Sequence, residues 1–337
     1  IIPEDRKVKK DSIFICMSNG SKQHVGKVAF IDKDMDYAFG GFMGLIVPSS
    51  LVSAKYVFYA CNSSLYRTFL SQVGNGIGIT NLRFSDLQNF EFPLPSLEDQ
   101  QRIVSELDLL SNIIDAKNSQ LRDLDALAQS VFFEMFGEPT KNNKGWQICR
   151  VGELCEDIKY GTSRPAVSNG KYKYIRMNNL TYGGELDFSD LKKIDIPDNE
   201  IEKCSVRNGD VLFNRTNSID LIGKTALFNS DEKMVIAGYI IRVRLKKDKM
   251  NPRFFVSFMN LPSTKLILKG VAKGAVNQAN INSKELQSLL IPCPPLALQN
   301  DFSERINQIF LHKEAISSSV EQTKQFLSSK INYYFSD

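Results

Sequence analysis

Two stretches of this chain, 199 residues apart, carry one pattern. Residues 92–101 read FPLPSLEDQQ and residues 291–300 read IPCPPLALQN. At the same offset Asn81 meets Asn280, Leu87 meets Leu286, and the Gly-rich stretch 74–80 meets 273–279. GKVAF (26–30) meets GKTAL (223–227), and Gly41-Phe42 meets Gly238-Tyr239, at an offset of 197. Asp11 and Phe14 meet Asp210 and Phe213 at 199. A near-constant offset with one two-residue gap is an internal duplication, and it dictates the architecture. The copies are unequal. Residues 144–209 precede the matched region of the second copy, but only about ten residues precede that of the first. The first copy is therefore expected to be truncated at its N-terminus by about 60–70 residues.

Each Pro-rich stop is followed by a long segment almost free of Gly and Pro. In 96–136 apolar residues recur at Leu107, Leu110, Ile114, Leu121, Leu124, Ala128, Val131 and Met135. In 296–334 they recur at Phe302, Ile306, Ile309, Ile316, Val320, Leu327 and Tyr334, with Lys313, Thr323 and Lys330 in the gaps. Steps of 3 and 4 are the heptad pattern of supercoiling helices. At about 40 residues and 1.5 Å each, these are helices of roughly 60 Å. Gly137 and Pro139 end the first. Either each helix packs on its own globular part, or the two pair and bury both stripes together. The shared register favours pairing, with the interior lysines and Thr323 fixing alignment at some cost in stability.

The remaining segments are mixed. YKYIRM (172–177), DVLFN (210–214) and MVIAGYIIRVRL (234–245) read as strands. NPRFFVSFMN (251–260) and TKLILKG (264–270) read as short helices. GLIVP (44–48) and SAKYVFYACNSSLYRTFL (53–70) are their first-copy counterparts. The expected fold is α+β: two α/β domains, 1–95 and 139–295, separated by two long antiparallel helices, 96–138 and 296–337, forming a coiled coil.

Charge follows these divisions. Residues 144–295 hold 24 Lys/Arg against 16 Asp/Glu, a net +8, and residues 96–136 hold 3 against 8, a net −5. A basic domain suits a polyanion and an acidic helix suits a protein partner. Catalytic motifs are missing. Gly223-Lys224-Thr225 resembles the end of a phosphate loop, but Ser218 stands where its first glycine belongs. Six scattered cysteines and two histidines, His24 and His312, draw neither a zinc cluster nor a nucleophile-histidine pair, and reduced thiols are expected. No apolar run approaches the roughly 18 residues of a membrane helix, and no basic-apolar leader opens the sequence, so a cytoplasmic protein is expected.

A globular domain, a Pro-Leu-Pro…Gln element and a long helix, all occurring twice, resemble the specificity subunit of type I restriction-modification systems. LFNRTNS…IGKTAL (212–227), GVAKGAVNQANINSKEL (270–286) and IPCPPLALQNDF (291–302) are similar to that family's second target-recognition domain and its junction with the helix. FPLPSLEDQQRIVSEL (92–107) is similar to the first junction. The resemblance implies a DNA-binding chain without catalysis of its own, in a prokaryotic cytoplasm. Each domain would read one half of a bipartite site in double-stranded DNA, and the helix pair would set the spacer. Two methyltransferase subunits would dock on the helices, and a nuclease/translocase subunit would join the full complex. S-adenosylmethionine, ATP and Mg would belong to those partners, with no cofactor or metal on this chain. A recognition subunit of a related type II methyltransferase-nuclease, or a helical scaffold without DNA, would share parts of the pattern.

Base reading needs side chains with paired donors and acceptors, and phosphate contacts need cations. Arg215, Thr216 and Asn217 fill a polar break between strands and are the first candidates, against a solvated turn. Next come Lys159, Tyr160, Thr162, Ser163 and Arg164 in KYGTSR, then Arg176, Asn178 and Asn179 after a strand. Lys273, Asn277 and Gln278 lie in a Gly-containing loop. Asn280 recurs as Asn81 and Lys224 recurs as Lys27, so these fit a structural cap or a phosphate contact better than base reading. In the first copy Ser18, Asn19, Lys22, Gln23 and Asn75 are the equivalents. The helix seam is expected at Leu107, Leu110, Ile114, Leu121, Leu124 and Val131, facing Ile306, Ile309, Ile316, Val320 and Leu327.

Overall fold

The computed structural model describes residues 7–73, 81–275 and 278–336, with side chains withheld at 273–275. They form two compact units, one of residues up to Leu121 with those from Glu314 onward, the other spanning Arg122–Lys313. The boundary falls inside both long helices.

Unit 1 opens with strands β1 (Lys7–Val8), β2 (Ser12–Cys16), β3 (Val28–Ile31), β4 (Met35–Ala38) and β5 (Met43–Ile46). Helices α1 (Ala54–Ala60), α2 (Ser64–Val73) and α3 (Phe84–Leu87) follow, then α4 (Leu97–Phe136). β2 is the middle of an antiparallel sheet β3-β2-β5, and β1 pairs with β4. Alternation along β2 buries Ile13 and Ile15 fully, against Tyr66 and Val57 on one side and Met17 and Leu82 on the other.

Unit 2 opens with β6 (Gln147–Arg150), β7 (Cys155–Tyr160), β8 (Tyr172–Ile175), β9 (Lys192–Ile194), α5 (Asp198–Cys204) and β10 (Ser205–Val206). β11 (Val211–Asn214), β12 (Thr216–Asn217), β13 (Thr225–Leu227), β14 (Met234–Ile236), β15 (Ile240–Leu245), α6 (Pro252–Asn260) and α7 (Pro262–Val271) come next. It closes with β16 (Lys273–Ala275), β17 (Gln278–Asn280), α8 (Ser283–Ser288), β18 (Leu290–Cys293) and α9 (Leu296–Tyr334), whose later turns belong to unit 1. The sheets run β13-β11-β15-β7, β10-β14-β8-β9, β12-β17-β16 and β18-β6. Asn251 caps α6 by accepting from the amides of Arg253 and Phe254, with Pro252 in the first turn, as the sequence NPRF dictates.

The duplication is visible in the ladders. Ile13 lies opposite Phe30 and Ile46, and Val211 lies opposite Leu227 and Val243. This corrects two details of the sequence match. Phe14 corresponds to Leu212, not Phe213, and Asp11 to Gly209, not Asp210, because the Asp11 amide donates to the Ile31 carbonyl as the Gly209 amide donates to that of Phe228, both at 2.9 Å. A one-residue slip reverses the faces of a strand: the fully buried Phe213 corresponds to the fully buried Ile15, and the half-buried Phe14 to Leu212. β1–β4 stands where unit 2 has β10–β14, and among the described residues nothing in unit 1 corresponds to β7, β8 and β9.

In each unit α4 and α9 pack antiparallel. In unit 1 Ile103, Val104 and Leu107 share a core with Ile331 and Phe335, joined by Tyr56 and Tyr59 of α1. In unit 2 Phe132 and Phe136 stack around Phe302, at ring distances of 5.5 and 5.2 Å, and Phe254 of α6 completes the cluster. Every expected seam residue is buried (Leu107, Ile114, Ile306, Ile309, Val320) or half-buried (Leu110, Leu121, Leu124, Val131, Ile316, Leu327). The lysines that interrupt the stripe all bond across the helix pair: Lys330 to Glu106 at 2.7 Å, Lys117 to Ser319, and Lys313 to Asp125.

The Pro…Gln element explains itself in the same way twice. Gln100 is 1% exposed and Gln299 0%. Gln100 Oε1 accepts from the Ser53 amide at 2.8 Å, and Nε2 donates to the carbonyls of Pro95 (2.9 Å) and Leu51 (3.4 Å). Gln299 Oε1 accepts from the Asn251 amide at 2.8 Å, and Nε2 donates to the carbonyls of Pro294 (2.8 Å) and Lys249 (3.3 Å). One buried amide thus ties the first turn of each long helix to its own globular part. Gln299→Ala strands an amide and two carbonyls and is expected to lower stability by about 2–3 kcal/mol. Urea unfolding followed by Trp146, which donates to the Phe136 carbonyl at 2.9 Å beside this junction, measures it. An unchanged midpoint would refute the clamp.

Candidate nucleic-acid interface

β11 runs into a change of sheet. At Arg215 the chain leaves the four-stranded sheet and enters β12, which pairs with β17 through Thr216↔Asn280 and Asn217↔Ala279. The backbone there is held on both sides: the Arg215 amide donates to the Tyr239 carbonyl at 3.0 Å, and the Ile281 amide donates to the Arg215 carbonyl at 2.9 Å. The guanidinium lies over the Tyr160 ring, 5.0 Å from its centroid. That ring is fixed in turn, because Tyr160 belongs to β7 and its hydroxyl accepts from the Ser283 amide at 2.8 Å. Stacking of this kind orients a planar cation at modest cost. Arg215 Nε is buried without a hydrogen-bond partner.

The KYGTSR loop comes to the same place. Gly161 passes so close to β14 that a Cβ would fall 2.2 Å from the Ile236 carbonyl oxygen, so no other residue fits. The Thr162 amide donates to that carbonyl at 2.9 Å, the Gly238 amide donates to the Thr162 carbonyl at 2.7 Å, and the Tyr174 hydroxyl donates to it at 3.2 Å. The structure therefore brings together Tyr160, Thr162 and Ser163 with Arg215, Asn217 and Gln278, three segments far apart in sequence, whereas Lys159 alternates to the other face of β7 and pairs with Asp157 at 3.5 Å.

Other candidates are placed differently. Arg164 pairs with Glu200 through two hydrogen bonds of 3.1 and 2.6 Å, and Arg176 pairs with Asp190 at 2.8 Å. Asn178 is exposed, whereas Asn179 points inward. Its Oδ1 accepts from the Arg176 amide and its Nδ2 donates to the Asp187 and Asp190 carbonyls, which holds a turn. Thr216 also faces inward and donates to Asn280 Oδ1 at 2.8 Å. Asn280 thus secures the end of β11, and Asn81 forms the corresponding bridge with Ser18 in unit 1. Lys224 lies 5.2 Å over the Tyr182 ring, and burial lowers its pKa. In unit 1 Asn19 accepts from the Ser21 amide, Lys22, Gln23 and Lys27 line one cleft, and the Arg215 position is taken by the buried Met17. Asn75, Asn277 and the side chain of Lys273 lie outside the described residues.

One residue at the interface escaped the sequence reading. Tyr239 is 53% exposed beside Arg215, and its carbonyl holds the Arg215 backbone. Its counterpart Phe42 is 72% exposed, and the Phe42 carbonyl holds Met17 and Ser18 in the same manner. The recurrence of Gly41-Phe42 as Gly238-Tyr239 was the available signal. Among the described residues no group of three His, Cys, Asp or Glu could hold a metal ion, and no helix is long and apolar enough to cross a membrane.

Known proteins share this arrangement. The family model for the type I restriction modification DNA specificity domain matches residues 4–124 and 143–322. The EcoKI type I specificity subunit of Escherichia coli (strain K12) is 24% identical over 336 residues, which covers 95% of this chain and 72% of that protein. The StySPI type I specificity subunit of Salmonella potsdam is 27% identical over 340 residues, with the same coverages. A solved chain from a type I restriction-modification system matches with a TM-score of 0.58 at 18% identity, covering 99% of this chain and 84% of that one. The type I S subunit of M. genitalium gives 0.55 at 14% identity, covering 98% and 84%, and both likenesses bear on the fold. With the family model matched in both copies and both junctions preserved, the chain belongs to the type I restriction-modification DNA specificity family.

Proposed function

We propose that this chain is the DNA-reading, non-catalytic subunit of a type I restriction-modification complex, and the observation that carries the reading is Arg215. It is stacked on a pinned tyrosine, and among the described residues its Nε has no hydrogen-bond partner and its guanidinium no acidic neighbour of the kind that occupies Arg164 and Arg176. A guanidinium so presented offers the fork of donors that guanine accepts at O6 and N7. Asn217 and Gln278 beside it offer the donor-acceptor pairs that suit adenine. Lys224 serves the backbone, where contacts set register and not sequence.

Each globular part reads one half of a bipartite site in double-stranded DNA, and α4 with α9 fixes the spacer. Leu109, Leu127, Leu311 and Phe326 are exposed apolar side chains outside the seam and suit the docking of two methyltransferase subunits. Those subunits bring S-adenosylmethionine, and a nuclease/translocase subunit that uses ATP and Mg completes the assembly in the prokaryotic cytoplasm. The chain's share of catalysis is positioning.

The test uses the complex with its methyltransferase subunits. Arg215→Ala combined with Asn217→Ala should remove or relax one half of the methylated sequence, at about 1–3 kcal/mol per lost base contact, and leave the other half unchanged. Sequencing of methylated sites reads the outcome. A methylated sequence identical to that of the unaltered complex would refute the role given to this loop.

A further inference from the structure

Unit 1 carries an open cleft of about 540 Å³ beside the end of β2, where the Gly26 amide donates to the Cys16 carbonyl at 2.8 Å. Lys22 and Gln23 enter it from a short 3-10 turn, Lys27 from the approach to β3, Asn62 from just beyond α1, and Arg67 and Ser71 from α2. Among the described residues no acidic side chain lines it. Arg67 is exposed and makes no ion pair with any described residue. Lys27 Nζ lies 2.9 Å from His24 Nδ1. A glycine makes the cleft possible. Gly26 has φ 81°, and a Cβ on it would fall 2.4 Å from Leu70 Cδ1 of α2, so only glycine lets the hairpin close on that helix.

Unit 2 repeats the device. Gly223 has φ 74°, and its Cβ would fall 2.7 Å from Leu268 Cδ1 of α7. Lys224 follows Gly223 as Lys27 follows Gly26, Lys265 precedes Leu268 as Arg67 precedes Leu70, and Asn260 stands where unit 1 has Asn62. There the cluster is closed. Lys265 Nζ donates to the Gly223 carbonyl and, at 2.9 Å, to Asn260 Oδ1. Burial and the Lys224 charge hold its amine down to about 7. Both copies thus keep two basic side chains and an asparagine around a left-handed glycine, closed by internal hydrogen bonds in unit 2 and open to solvent in unit 1, while Arg215 is replaced by Met17.

We infer that the Lys27–Arg67 cleft binds a backbone phosphate of nucleic acid, independent of base sequence. The inference rests on the DNA-reading function proposed above. A phosphodiester needs cations and planar donors in a concave, acid-free setting, and each such neutralised phosphate releases counterions. Unit 1 would thereby anchor DNA even where its base contacts are few.

The experiment measures duplex affinity against salt for the full chain with its methyltransferase subunits, comparing Lys27→Ala/Arg67→Ala with the unaltered complex. Both side chains are exposed, and circular dichroism checks that the variant is folded. The expected result is a weaker affinity for the methylated sequence and for an unrelated duplex by the same factor. The slope of log K against log salt should become shallower by about 0.9, for the one phosphate the cleft neutralises. Arg67→Lys should restore most of the slope. An unchanged slope, while Arg215→Ala/Asn217→Ala alters sequence preference, overturns the cleft alone. Competition by inorganic phosphate without any change in the duplex slope also overturns it, as a free-anion site. If the unaltered complex bound no duplex, both the function and the cleft would fall.

Discussion

A stripe of Leu, Ile and Val on a lone 40-residue helix cannot leave water unless something covers its whole length, and here a second helix of the same pattern does. The stripe is narrow, at the a and d positions of a coiled coil, so one partner suffices. Pure apolar stripes slide, since one heptad matches the next about as well. The cross-helix bonds of Lys117, Lys313 and Lys330 prevent that, because each polar group in the seam is satisfied in one alignment. Their energetic contribution is small at such exposure, and their value lies in selecting a register.

The seam would be of little use if its ends moved freely against the globular parts. Gln100 and Gln299 remove that freedom, each with a buried side-chain amide that bonds to the loop before the helix and to the loop that precedes α1 or α6. The aromatic cluster of Phe132, Phe136, Phe254 and Phe302 does the same through packing. Duplication then delivers two equivalent joints, and the antiparallel order of the helices in each unit follows from the chain entering each one after its own domain.

Much of this was legible in the sequence because periodicity and repetition report backbone geometry directly. The long helices, their seam and the two junctions follow from heptad steps and the recurring Pro…Gln. What sequence could not show was depth. Asn179 and Thr216 read as polar and available, yet one folds inward to hold a turn and the other to meet Asn280. Arg164 and Arg176 followed Arg215 as candidates on sequence alone, and only the fold brings Glu200 and Asp190 beside them. Tyr239 was hidden by its plain setting in a strand-like run, and the one-residue misplacement of Phe14 arose because matching letters cannot locate where a gap falls. Long-range pairing decides all of these, and no local pattern encodes it.

In the proposed function, helix length sets the distance between two half-sites. One heptad inserted into each helix, after Gln120 and after Ser317, keeps the seam in phase and lengthens it by about 10 Å. Mapping of methylated sites should then show both half-sequences unchanged and the spacer between them longer by about 3 base pairs, at 3.4 Å each. An unchanged spacer in an active complex would contradict the account.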